Sequence, residues 1–173
     1  MIGRAVTTTG RTVYLLTRAG GKFISKPGEA LLLCRMAWWV SVLSVTARLC
    51  PLPKALQIVA GGSRKVTTAP ADSVQQRRFA QAIDLLLSAN LWIFKPICWK
   101  RAAILHRYLA RNGMRTQIIF GIRNDKTGKV SGHAWLELGG VPILEKTPPD
   151  YVATYSFPSQ QAFDAELLAI SRE

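Results

Sequence analysis

The sequence predicts an α+β fold in which helices come first and an antiparallel meander follows. Three observations carry this. Apolar residues recur at helical spacing between residues 27 and 110. Short runs rich in Ile, Val, Trp and Leu, separated by Gly- and Asn-rich turns, occupy residues 115–146. The two patterns do not alternate, which separates α+β from a parallel α/β layout.

Each element has its own signal. Pro27 suits a first helical turn, and the apolar stretch after it predicts a helix to about Leu49. Pro51 and Pro53 end that helix and start a short one over about 52–59. Residues 60–71, "AGGSRKVTTAPA", read as a linker. A third helix, capped by Asp72 or Ser73, runs to about Asn90 on the spacing of Phe79, Ile83, Leu86 and Leu87. A fourth begins at Pro96–Cys98 and stops at Gly113, a residue suited to a left-handed cap. Its stripe is Ala102, Leu105 and Leu109, with Lys100, Arg107 and Arg111 elsewhere. "RTQIIFGIR" (115–123), "VSGHAWLEL" (130–138) and "VPILEK" (141–146) read as strands. Residues 150–158 read as irregular, and "SQQAFDAELLAIS" as a final short helix. The expected organisation is a flexible arm (1–26), a helical N-terminal region (27–70) and a catalytic core (71–173).

Composition narrows the function. The 173 residues are 49% hydrophobic, enough for a real core. Net charge is +13, and residues 1–70 hold ten basic side chains against the single acid Glu29. Such a surface favours acidic partners. Three cysteines without a CxxC pair argue against a disulfide scaffold and fit a reducing, cytoplasmic compartment. With two histidines a metal site is hard to assemble, so no metal and no cofactor are expected. The stretch 29–49 has an uncharged run of twelve residues, Met36–Ala47, flanked by Arg35 and Arg48. A span needs about 20, so no membrane span is expected. Trp38 and Trp39 read as core, with a docking patch as the alternative.

The chemistry concentrates at Cys98. A helix N-terminus carries about half a positive charge, which favours a thiolate over a thiol. Lys95, Lys100 and Arg101 add positive charge nearby. Cys34, in an apolar helix, and Cys50, at a helix end, read as structural. A nucleophilic cysteine needs a base within reach. His106 lies eight residues along the same helix, about 12 Å away, too far to touch Cys98. It reads as a cation near a helix C-terminus. His133 remains, on a strand whose alternation places it with Trp135 and Glu137. The third member should be a carboxylate. A three-residue turn, Leu138-Gly139-Gly140, would set Glu145 opposite His133, whereas a two-residue turn would point it away. The bulged turn is predicted, giving Cys98, His133 and Glu145, with Asp150 as the fallback orienter.

Cysteine on a helix, histidine on a strand and acid on the adjoining strand resemble the transglutaminase-like cysteine protease superfamily. More narrowly, "CWKRAAILHRYLARNGMRTQIIFGIR" and "GHAWLELGGVPILE" resemble the B-type leader peptidases of lasso-peptide biosynthesis. The match covers about residues 93–146. Residues 27–92 are similar in character, and 1–26 and 159–173 are not covered. Glu145 stands where that family usually has Asp. The resemblance implies a transglutaminase-like, papain-like core, with Cys98 as nucleophile, His133 as base and Glu145 as orienter. It also implies hydrolysis at the leader–core junction of a ribosomally made precursor. The partners implied are the precursor, a separate leader-recognition protein and the lasso cyclase. Two rival readings exist. One is an acyltransferase using the same triad with an amine acceptor. The other is a non-enzymatic RNA or peptide binder, against which stands the absence of any nucleic-acid motif.

Overall fold

A computed structural model describes residues 27–61, 72–90, 93–124, 128–145 and 147–159. The expected N-terminal arm, most of the linker and the expected final helix lie outside these residues. The helices are α1 (Pro27–Leu49), α2 (Leu52–Ala60), α3 (Ser73–Ser88) and α4 (Cys98–Ala110). The strands are β1 (Thr116–Asn124), β2 (Val130–Leu138), β3 (Val141–Ile143) and β4 (Val152–Phe157), in the antiparallel order β3-β2-β1-β4. The α+β reading holds.

The centre of the molecule is α4. It touches α1, α2 and α3 as well as β1 and β2. Ala102, Ala103, Ile104, Leu105 and Leu109 are all buried in one hydrophobic cluster with Met36, Val40 and Leu43 of α1, Ile83 of α3, and Ile118 and Leu136 of the sheet. The helices on the two sides of the expected boundary near residue 70 therefore share one core.

Two basic residues expected away from the core stripe are buried with it. Arg107, 5% exposed, donates to the Val59 carbonyl at the end of α2 and lies 3.4 Å from the centre of the Trp39 ring. It satisfies a carbonyl that a helix C-terminus leaves unpaired. Lys100 donates through Nζ to the Ile93 carbonyl at 2.9 Å, tying down the segment that leads into α4. Burial is the main cause lowering its pKa, with Arg48 and Lys95 adding to it. The expected stop of α4 is observed: Gly113 has φ 80°, Met114 N–H donates to the Leu109 carbonyl and Gly113 N–H to that of Ala110. This pair of bonds is the Schellman ending.

α1 has two apolar faces. Met36, Val40 and Leu43 are fully buried, while Leu31, Trp38, Val45 and Leu49 are 50–78% exposed. By length and composition alone the helix is apolar enough to cross a membrane, its most apolar 18-residue window having a mean hydropathy of 1.6, a test that the core helix of a globular protein also passes. Its inward face is taken by the protein core. The tryptophan pair is split, with Trp39 packed against the core and Trp38 facing outward. Cys34, read as structural in this apolar helix, is exposed.

The sheet departs from expectation at both edges. Residues 152–157, read as irregular, form β4, which pairs with β1 and shifts register between Phe120 and Gly121. Flanking prolines and mostly exposed side chains hid its strand pattern. At the other edge β3 is three residues long instead of six. It pairs Leu138 with Val141 across a two-residue turn in which Gly139 and Gly140 both have positive φ. The predicted three-residue turn is therefore wrong. With two adjacent glycines, the tight turn whose twist matches the strands forms without steric cost.

Candidate active site

Cys98 is the first residue of α4. Ile97 before it is extended (φ −114°, ψ 125°), and its carbonyl accepts from Lys100 and Arg101 N–H at 3.1 and 3.2 Å. The first N–H groups of a helix have no acceptor within the helix. The Cys98 N–H is one of them. Cys98 is half-buried and lines a cleft of about 640 Å³ together with His133, Glu145, Arg101, Asp150 and Tyr151. The three residues singled out in the sequence therefore face one cavity.

His133 Nε2 lies 3.4 Å from Glu145 Oε2. The contact is longer than a well-formed hydrogen bond, as catalytic contacts often are before substrate binds. It arises by a different route from the one predicted. The two-residue turn would carry Glu145 away from His133 if β3 continued. β3 ends at Ile143, and Leu144 adopts φ 59°. A left-handed conformation is uncommon for leucine. It breaks the strand alternation and brings Glu145 to the imidazole. Asp150, the fallback orienter, is 93% exposed at its side chain and 4.0 Å from Arg123 Nη1, so Glu145 is the carboxylate against His133.

The kink is held by Arg101, whose role was not legible in the sequence beyond its charge. Its Nη1 is 3.1 Å from Glu145 Oε1, and its Nη2 donates to the Leu144 carbonyl at 3.0 Å. Its Nε and Nη2 meet the two carboxylate oxygens of Asp84 on α3 at 2.7 and 3.3 Å. Such a planar fork fixes geometry as well as charge. Arg101 stands three residues after Cys98, on the same face of α4. One helix thus carries both the thiol and the clamp on the acid. Two of the three cations expected to serve the thiol are otherwise engaged: Arg101 by two carboxylates, Lys100 by a carbonyl.

An aromatic wall orients the imidazole. The His133 ring stacks on Trp135 (6.1 Å, 17°) and tilts against Tyr151 (5.2 Å). The Trp135 indole N–H donates to Glu137 at 2.8 Å. Gly121 pairs with His133 across β1 and β2. A Cβ there would sit 2.8 Å from Trp135 and 2.9 Å from Tyr151, so any side chain would displace the wall. Gly121 lies in the stretch that resembles the leader peptidases, but the sequence gave no reason for a glycine there. Tyr151 was missed, because its neighbours carried no strand signal.

His106 is elsewhere in the molecule. It is 6% exposed, its Nδ1 is 2.9 Å from the Thr116 hydroxyl, and Phe157 meets its ring edge-on. Burial lowers its pKa to about 4, outweighing the Thr116 interaction. It is a neutral core residue, and the expectation of a helix-end cation is wrong because the sheet covers that part of α4.

A thiol at a helix N-terminus that shares a cleft with an imidazole–carboxylate pair is the set of groups that cysteine-dependent acyl transfer requires. The model of the Transglutaminase-like superfamily matches residues 32–156, and the chain belongs to that superfamily. Its enzymes are generally cysteine proteases or acyltransferases. No curated protein and no solved structure matches the chain.

Proposed function

We propose that this protein is a cysteine peptidase that removes the leader from a ribosomally made lasso-peptide precursor. The observation that carries the reading is the His133–Glu145 contact in the cleft onto which Cys98 opens. The local wording of residues 93–146 supports the leader-peptidase assignment within the superfamily. Glu145 engages Nε2 and leaves Nδ1 to exchange a proton with Cys98.

The Cys98 thiolate attacks the carbonyl carbon at the leader–core junction, and the carbonyl oxygen becomes an oxyanion. The Cys98 N–H is a donor for it. The imidazolium of His133 gives its proton to the departing core amine as the C–N bond breaks. His133 then takes a proton from water, which attacks the thioester and releases the leader as a carboxylate. A separate leader-recognition protein presents the precursor, and the cyclase receives the freed core.

The test has two stages. Alkylation of the three cysteines, mapped by peptide mass spectrometry, should be fastest at Cys98 and slow there in His133→Ala. Incubation with precursor and recognition partner should then release a leader bearing a free carboxylate. A leader whose mass shows an added amine would make the protein an acyltransferase. Equal alkylation of Cys98, Cys34 and Cys50, with and without the partner, would leave a non-enzymatic binder.

A further inference from the structure

Cys98 also lines a second cleft, of about 320 Å³, which shares Asp84 and Arg101 with the first and otherwise has walls of its own. Leu87 and Ser88 of α3 and Pro96 and Ile97 before α4 line it, together with Asp84 and Arg101. Leu87 is 4% exposed and part of the core, so this wall is fixed before any ligand arrives. Asp84 and Arg101 are the charged groups of its lining, and they are paired with each other through two contacts. Neither charge is free for a ligand. What remains is a small apolar pocket adjoining the nucleophile, the kind of site that recognises an apolar group by shape.

Its place relative to His133 sets which part of a substrate it meets. His133 lines the larger, polar cleft and not the apolar one. A leaving amine must come within reach of that imidazole to be protonated. The amine side of the scissile bond therefore occupies the polar cleft, and the acyl side extends the other way. We infer that the apolar cleft is the acyl-side subsite of Cys98 and takes one aliphatic side chain from the two residues preceding the scissile bond. This rests on the peptidase reading above.

The experiment uses the full chain and tripeptidyl chloromethyl ketones. The Cys98 sulfur displaces chloride, forming a thioether and releasing chloride ion. The panel places Leu, Ala, Asp or Lys at either of the two residues nearest the reactive carbon. Chloroacetamide is the non-peptide control, and labelling at Cys98 is followed by mass spectrometry. Leu at one of the two positions should label about tenfold or more faster than Asp or Lys there. Ser88 is exposed at the rim. Ser88→Trp, which fills the cleft, should bring the Leu probe down to the rate of the Ala probe and leave chloroacetamide labelling unchanged. Peptidyl probes that label Cys98 ahead of Cys34 and Cys50 but without regard to side chain would overturn the subsite and leave the peptidase reading standing. So would a preference for Asp or Lys. Peptidyl probes that label Cys98 no faster than Cys34 and Cys50 would overturn both.

Discussion

The two histidines occupy two kinds of region, and the contrast shows what makes an imidazole available for chemistry. His106 sits where α4 meets the sheet, with the Thr116 hydroxyl at its Nδ1 and Phe157 against its ring. His133 sits on the wall of an open cleft, with a carboxylate at Nε2 and the Trp135 and Tyr151 rings, themselves in contact, against it. The first region excludes water and keeps the ring neutral. The second holds the ring in place on the lining of an open cavity. The residue type is the same; the surroundings assign one to packing and, on the peptidase reading proposed above, the other to proton transfer.

Exchanging their losses is the most severe way to break the comparison. His133→Ala should lower turnover of the precursor by about a thousandfold or more, with stability close to the parent. His106→Gln should keep turnover within a few-fold and lose stability instead. Steady-state cleavage and urea melts on both variants check this, and comparable turnover losses would erase the distinction. Next in size is the carboxylate. Glu145→Gln keeps the volume but removes the charge that stabilises the imidazolium, and should cost about a hundredfold or more in kcat.

Acid sharpens the contrast through stability. The pKa of His106 is about 4 when folded, against an ordinary 6.5. Between those values the unfolded chain binds the extra proton, so stability falls as pH drops from 6.5 toward 4 and is unaffected by this group above 6.5. The full loss is on the order of 3 kcal/mol. Urea melts near pH 7 and near pH 4.5 should show it, and His106→Gln should flatten that limb. The smallest expected effect is on Arg101, a positioning residue acting through Glu145. Arg101→Lys keeps a charge and loses the fork, and should cost about tenfold in kcat with a shift in the acid limb of the pH profile. An unchanged pH profile with a lowered melting temperature would make Arg101 merely structural.

Much of the fold was legible because local rules and tertiary packing agreed. Prolines at 27, 51 and 96 mark helix starts, Gly113 marks a stop, and β2 begins and ends where its alternation does. β4 was not legible, because a mostly exposed edge strand between prolines has no hydrophobic pattern to show. The burial of Lys100 and Arg107 was equally hidden. A basic side chain reads as solvent-facing until a distant carbonyl, here Ile93 or Val59, is found to need a donor.

By itself the sequence determined the helix-then-sheet order, the address of Cys98 at a helix N-terminus and the choice of His133 over His106, since helical rise alone separates Cys98 from His106. The tertiary structure decided how the acid arrives. The pairing of Glu145 with His133 was expected, but through a turn that does not form. It comes from a left-handed leucine held by an arginine on another element, and a contact between residues 101, 144 and 145 leaves no periodic trace in the chain. Local chemistry fixes what a residue can do next to its neighbours; which distant groups surround it is settled by packing alone.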